Sequence, residues 1–333
     1  MAVAVPCPES VVNRRFVVVG LGAIIVLGSA LALVVLTRAR TPIGPPQGTA
    51  STGSAVIIAA GDIADCASMG DEQTAALLRK ISGTVIALGD NAYERGSLAD
   101  YRSCYQPSWG SQKSRTKPAP GNHDYESKNA APYFSYFGTE AGPPGKGYYA
   151  YDLAGWRIYS LNSNCSSIGG CGEGSPEYKW LVAELRLNPR ECVAAYWHHP
   201  RFSSGSHGNY ARMQPIWKAL YNAGAEVVLV GHDHDYERFA PLDATGNPDA
   251  GHGIREFVVG TGGKSHYRFG KSILATSQVR NDNTFGVLRV TLHPDAYDWQ
   301  FVPVANANFT DAGTTPCHAP PVSSSQSGLA APS

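Results

Sequence analysis

The sequence carries no excess of either charge: 27 Lys and Arg stand against 27 Asp and Glu, and no basic run exceeds two residues. A stable nucleic-acid partner is not expected, because phosphate backbones call for a clustered basic surface. No C-x-x-C occurs among the seven cysteines, and their spacings form no zinc ribbon. There is no internal repeat either, which sets aside repeat architectures. Nothing in the chain fixes an oligomeric state.

What is present begins with size: 333 residues, 43% of them hydrophobic, suffice for a large globular domain. Near the start, "FVVVGLGAIIVLGSALALVVL" (16–36) is uncharged and about as long as a spanning helix requires. It predicts a single-pass anchor behind a short cytoplasmic segment, 1–15. Arg14 and Arg15 before it balance Arg38 and Arg40 after it, so charge does not orient it. A cleaved signal peptide is the rival, with Ala30–Ala32 as its cleavage signal and a usual apolar region of only about 7–15 residues. Cys7 precedes this stretch, whereas Cys66, Cys104, Cys165, Cys171, Cys192 and Cys317 follow it. An even set beyond the anchor suits three disulfides in an oxidising compartment. Only Cys165–Cys171, closing a small Gly-rich loop, is singled out as a pair. The large domain is thus expected outside the cell membrane, or secreted if the segment is cleaved.

A Pro/Gly/Ser/Thr stretch makes 37–53 a flexible linker, and similar composition makes 318–333 a disordered tail. Between them, 54–317 reads as one domain. Strand-like runs such as "AVIIAAGD", "TVIALGD" and "AEVVLVGHDH" alternate with helical patterns such as "DEQTAALLRKI" and "YARMQPIWKALYNAG". "SPEYKWLVAELRL" opens on a capping Ser175 with Pro176 at the first helical position. Alternation of this kind predicts an α/β layered domain. The strand-rich last third adds a mixed sheet or a second sheet.

Several strand-like runs end in the same chemistry. Asp62 follows the first and Asp90 the second, with Tyr93 close behind. "GNHD" supplies Asn122, His123 and Asp124; "WHHP" supplies His198 and His199; "GHDH" supplies His232 and His234. Ligands in open α/β sheets collect beyond the carboxyl ends of strands, so these five tips are expected to converge. One Gly-Asp after a strand is ordinarily a turn; five tips together are not.

The ordered series from Gly61 to His234 resembles the calcineurin-like metallophosphoesterases, and Tyr93, three residues after Asp90, resembles the purple acid phosphatase branch. The short N-terminal region suggests the compact bacterial-type form, without the N-terminal β domain of the plant enzymes. The resemblance implies a sandwich of mixed β-sheets flanked by helices. It implies two metal ions, one on Asp62, Asp90, Tyr93 and His234, the other on Asp90, Asn122, His198 and His232. A charge-rich oxygen set with a phenolate suits ferric iron; the amide and imidazole set suits zinc, manganese or ferrous iron. By the same resemblance, phosphomonoesters are hydrolysed through in-line attack of a water acidified by the metals. His123 and His207 resemble residues that stabilise or protonate the leaving group.

Other readings follow from neighbouring residues. His199, adjacent to a ligand on an extended strand, is expected to point away from it. Asp124, Asp233 and Asp235 either orient ligand imidazoles as second carboxylates or are turn or surface acids, and Tyr236, Glu237 and Arg238 stand where a pocket rim could form. Ala64 replaces the family's glycine, which leaves Asp65 free to reach the site. "GTGGKS" hints at a phosphate loop, but Val258 occupies the position of its required glycine, and the stretch reads as a turn close to the site. Two rival functions remain: a phosphodiesterase or nucleotidase on the same metals, and an envelope protein that binds metal without catalysis.

Overall fold

The computed structural model describes residues 53–320. The expected segment 1–15, the anchor or signal peptide at 16–36 and nearly all of the linker lie outside the described residues. Among those described, no helix is long and apolar enough to cross a membrane.

Two mixed sheets form the domain. One contains β1 (Ala55–Ala60), β2 (Thr84–Leu88), β3 (Thr116–Ala119), β11 (Gly286–Leu292), β12 (Ala296–Pro303) and β13 (Ala312–Pro316). The other contains β4 (Tyr149–Leu153), β5 (Trp156–Ser160), β6 (Val193–Tyr196), β7 (Ala225–Val230), β8 (Tyr236–Leu242), β9 (Ile254–Val259) and β10 (Ser277–Asn281). Their orders are β13-β12-β11-β1-β2-β3 and β10-β8-β9-β7-β6-β5-β4. Within them β1, β2 and β3 run parallel, as do β5, β6, β7 and β9. The strand-rich last third thus finishes both sheets, adding β8–β10 to one and β11–β13 to the other.

The period of two decides which side chain meets which layer. Ala194, Tyr196, Val227, Leu229, Phe257 and Val259 pack in one core with Ile57, Val85 and Leu288 of the opposite sheet. Val193, Ala195, Val228, Val230 and Val258 pack in a second core with Leu181, Ile216, Trp217 and Leu220 of the helices. Central strands covered on both faces are apolar at nearly every position. This explains the unbroken run "AVIIAA" in β1 and the wholly buried β7. The exception in β7 is the buried Glu226, whose Oε1 accepts from His318 N.

Helix Pro176–Leu187 starts as its sequence predicts: Ser175 Oγ accepts from Tyr178 N at 3.2 Å, with Pro176 at the first position. The other helical readings are found at Gly70–Leu78 and Gln214–Asn222. "LADYRSCYQPSW" is less regular, a short turn Leu98–Asp100 running into a π-helical turn Tyr101–Tyr105. Three disulfides close the domain: Cys66–Cys104, Cys165–Cys171 and Cys192–Cys317. The start of the expected tail is held, since His318 N donates to Glu226 Oε1 at 2.7 Å. The rest of the tail lies outside the described residues.

Candidate metal centre

Strand ends from both sheets meet at one place. Asp62 follows β1, Asp90 follows β2 and Asn122 follows β3; His198 follows β6 and His232 follows β7. Three of these turns share a device. Asp62, Asp90 and His232 each have positive φ (59°, 48° and 73°), and each comes directly after a glycine. Left-handed backbone at a non-glycine residue costs roughly 1–3 kcal/mol and persists where the surroundings enforce it. Here it folds each strand tip back, so that His232 N donates to Asp62 Oδ2 at 2.8 Å. Gly121 permits the third approach: a Cβ there would lie 2.0 Å from Asp90 Oδ1. Without one, His123 N reaches that same oxygen at 2.8 Å.

The side-chain atoms form two interlocking groups. Tyr93 OH lies 3.0 Å from Asp62 Oδ1, 3.1 Å from Asp90 Oδ2 and 3.2 Å from His234 Nε2. His198 Nε2 lies 3.0 Å from Asn122 Oδ1, 3.2 Å from His232 Nδ1 and 3.3 Å from Asp90 Oδ2. Asp90 belongs to both. Two donors each about 2.1 Å from one ion and at right angles stand roughly 3 Å apart, so both groups have the spacing of a coordination shell. All seven sequence-predicted donors are therefore brought together in the predicted division, and they could hold two ions. Across the two groups, Asp62, Asp90 and His198, all buried, bring donor atoms within 4.8 Å of one another, as do His198, His199 and His232.

Electrostatics explain why the cluster wants cations. Burial opposes charge on Asp90, but His198, His123 and His232 together outweigh it and hold the carboxyl below its usual range. Burial likewise opposes charge on Asp62, and His234 and His198 together overcome it. The Tyr93 phenol is driven the other way, well above its usual range, by burial and then by Asp62 and Asp90. Only a strong Lewis acid against its oxygen can reverse that. Tautomers are set by backbone carbonyls: His198 Nδ1–H donates to Leu88 O at 2.9 Å and His234 Nδ1–H to Ser265 O at 2.7 Å. Once a cation displaces the ring proton, each Nε2 would turn its lone pair to the cluster.

Several neighbouring readings need correction. The strand ends at Val230, and "GHDH" is a tight turn, with Asp233 N on Gly231 O and Asp235 N on Asp233 O. His232 and His234 thus reach the cluster through a left-handed turn and not from an extended strand. Asp124, Asp233 and Asp235 do not orient the donor imidazoles. Asp124 instead fastens Asn91, Gly121 and Tyr101. His199 accepts or donates to Ser163 Oγ at 2.8 Å, yet its ring packs 4.4 Å from His232 and so borders the cluster. Tyr236 and Arg238 form no rim: they bind Asp311 inside the domain. Asp65 stays out of the donor set, paired with Lys264 at 2.8 Å.

His123 and His207 stand at the mouth, with side chains 31% and 42% exposed. His123 Nε2 is 3.9 Å from Asp90 Oδ2, and its ring lies 4.6 Å from that of Tyr93. Asp233 Oδ1 accepts from His207 N at 2.8 Å and lies 2.9 Å from His207 Nδ1. That hydrogen bond raises the basicity of His207 against the opposing effect of partial burial. Two residues escaped the sequence reading. Tyr267 stacks on His234, 4.0 Å between centroids and 12° between planes. Lys264 carries its ammonium over the Tyr93 ring. "GTGGKS" marked the neighbourhood of both, and as read there it is a turn at the site: Gly262 N donates to Gly61 O and Lys264 N to Asp62 O.

A family model described as calcineurin-like phosphoesterase matches residues 50–236, more than half of the chain, and the chain belongs to that family. Among curated proteins, purple acid phosphatase 21 of Arabidopsis thaliana is 28% identical over 226 residues, covering 59% of this chain and 50% of its own length. The chain spans half or less of the length of the plant purple acid phosphatases it matches. Among solved structures, purple acid phosphatase PPD1 of yellow lupin superposes with a TM-score of 0.67 at 16% identity, over 80% of this chain and 54% of that one. GAP50, described as the anchor in the inner membrane complex of Plasmodium, superposes with a TM-score of 0.59 at 12% identity, over 80% and 89%. At such identities the superpositions show the shared fold. The family implies a binuclear metal centre, which the two interlocked donor groups fit.

Proposed function

We propose that the chain hydrolyses phosphomonoesters with two metal ions, a ferric ion on Asp62, Asp90, Tyr93 and His234 and a divalent one on Asp90, Asn122, His198 and His232. The observation that carries this is the shared Asp90 carboxylate, with a phenol on one side and an amide and two imidazoles on the other. When bound, such a pair acidifies a water and neutralises charge on the phosphoryl group in an in-line displacement. The chain does the rest. His207, supported by Asp233, and His123, beside Tyr93, are placed to donate to an ester oxygen as it departs. His232 and the fully buried His198, rings 5.0 Å apart and 73° between planes, lie beneath the mouth. The Tyr93 phenol, raised by burial and two carboxylates, favours the harder ion at its site. Three disulfides support an oxidising, extracytoplasmic setting.

Purified, metal-loaded protein assayed on p-nitrophenyl phosphate and bis-(p-nitrophenyl) phosphate tests the substrate class. Faster turnover of the monoester is expected. Preference for the diester would move the assignment to a phosphodiesterase on the same site. No turnover of either ester at full metal content would leave a binding protein.

A further inference from the structure

Lys264 takes no part in the reaction just described, yet it is tied closely to the centre. Its backbone N–H donates to the Asp62 carbonyl at 2.9 Å, which lays the loop after β9 against the first donor. Its side chain then turns over a second donor, with Nζ 4.6 Å from the centroid of the Tyr93 ring. Two carboxylates hold the ammonium there: Asp65, at 2.8 Å, and Glu94, in direct contact. One comes from the loop after β1 and the other directly follows Tyr93, so a single side chain joins three of the converging loops. Its exposure is 14% against 63% for Glu94, which makes the ammonium the inner member of the group. An exposed ion pair contributes little. A cation kept from water above a ring face contributes more.

We infer that Lys264 is a positioning residue for Tyr93, a cationic clasp that fixes the phenol ring against Asp62, Asp90 and His234 and withdraws electron density from it. The inference rests on the proposed reading in taking Tyr93 as a metal donor. It has a spectroscopic consequence. A positive charge beside a phenolate lowers its filled orbitals, so phenolate-to-ferric absorption lies at shorter wavelength than it would without the clasp. Lys264→Met keeps much of the stem and removes the charge; Lys264→Arg keeps the charge. Glu94→Gln, at an exposed position, leaves the ammonium less neutralised.

The full chain and its three variants are loaded with metal, assayed for metal content, and compared by visible absorption and far-ultraviolet circular dichroism. At unchanged metal content and fold, Lys264→Met is expected to move the band to longer wavelength, and Lys264→Arg to return it towards the wild type. Glu94→Gln is expected to move it the opposite way, which keeps the test intact should Lys264→Met not fold. A band that stays in place in the folded variants overturns the clasp. A colourless wild type holding two divalent ions refutes the ferric assignment alone. The clasp is then read from the rate at which a chelator strips the metal, expected to be at least threefold faster in Lys264→Met than in wild type or Lys264→Arg. Loss of the charge alone would slow that release, so equal or slower release overturns the proposal.

Discussion

His207 is a loop histidine made useful by one neighbour. Its ring lies 4.2 Å from that of His232, and Asp233 grips it by backbone and side chain together. A group so held can donate to a departing oxygen, and the value of that donation depends on the alcohol. We expect His207→Ala to lower kcat on an alkyl phosphate by about 10²–10³-fold, but far less on p-nitrophenyl phosphate, whose phenolate leaves without a proton. Equal losses on both esters would make His207 a binding residue instead. Tyr93 gives a second test at this scale. Tyr93→Phe removes only the oxygen that Asp62, Asp90 and His234 surround. It is expected to abolish visible colour while the far-ultraviolet spectrum is kept; persistence of the colour would place the phenolate elsewhere.

The helix Pro176–Leu187 shows what a sequence can and cannot say about an element. Ser175 and Pro176 announced its start, because caps are local chemistry. An acid in the first turn of a helix, where Glu177 stands, is ordinarily exposed and favoured by the helix dipole. Yet Glu177 is fully buried: Asn162 N donates to Oε1 at 2.6 Å, and Oε2 has no partner. The same division separates the donors from their supports. Asp62, Asp90, Asn122, His198 and His232 were legible because each sits at a strand tip in its own short motif. Tyr267, Lys264 and the Ser265 carbonyl were not, since only the return of the loop after β9 brings them there. Burial pushes the Glu177 carboxyl up to about 8. A raised acid stabilises the fold fully only below its ordinary pKa, near 4.5, and that stability drains away as pH climbs towards 8. Glu177→Gln keeps an acceptor for Asn162 and removes the charge. It is expected to match wild type near pH 4 and to exceed it by roughly 1–3 kcal/mol at pH 8, read as urea midpoints across that range. A pH-independent difference would show that Glu177 stays ionised.

Across the molecule, chemistry and stability are kept at opposite ends of the strands. The donors stand at the carboxyl ends of β1, β2, β3, β6 and β7, where the two sheets converge. Cys192 immediately precedes β6 and Cys317 immediately follows β13, so their disulfide joins the two sheets at the amino end of β6. It spans a sequence separation of 125, and closing so long a loop restricts the unfolded chain strongly. Trp156 strengthens the same end, its Nε1–H on His293 O at 2.6 Å. Replacing both cysteines by serine is therefore expected to cost about 2–5 kcal/mol of stability, seen as a lower urea midpoint. Well below the unfolding transition, kcat and the visible band should be those of the wild type, because no donor sits at that end. If the folded double variant instead loses colour or turnover, the disulfide does more than hold the sheets together: it sets the spacing at which their strand tips meet.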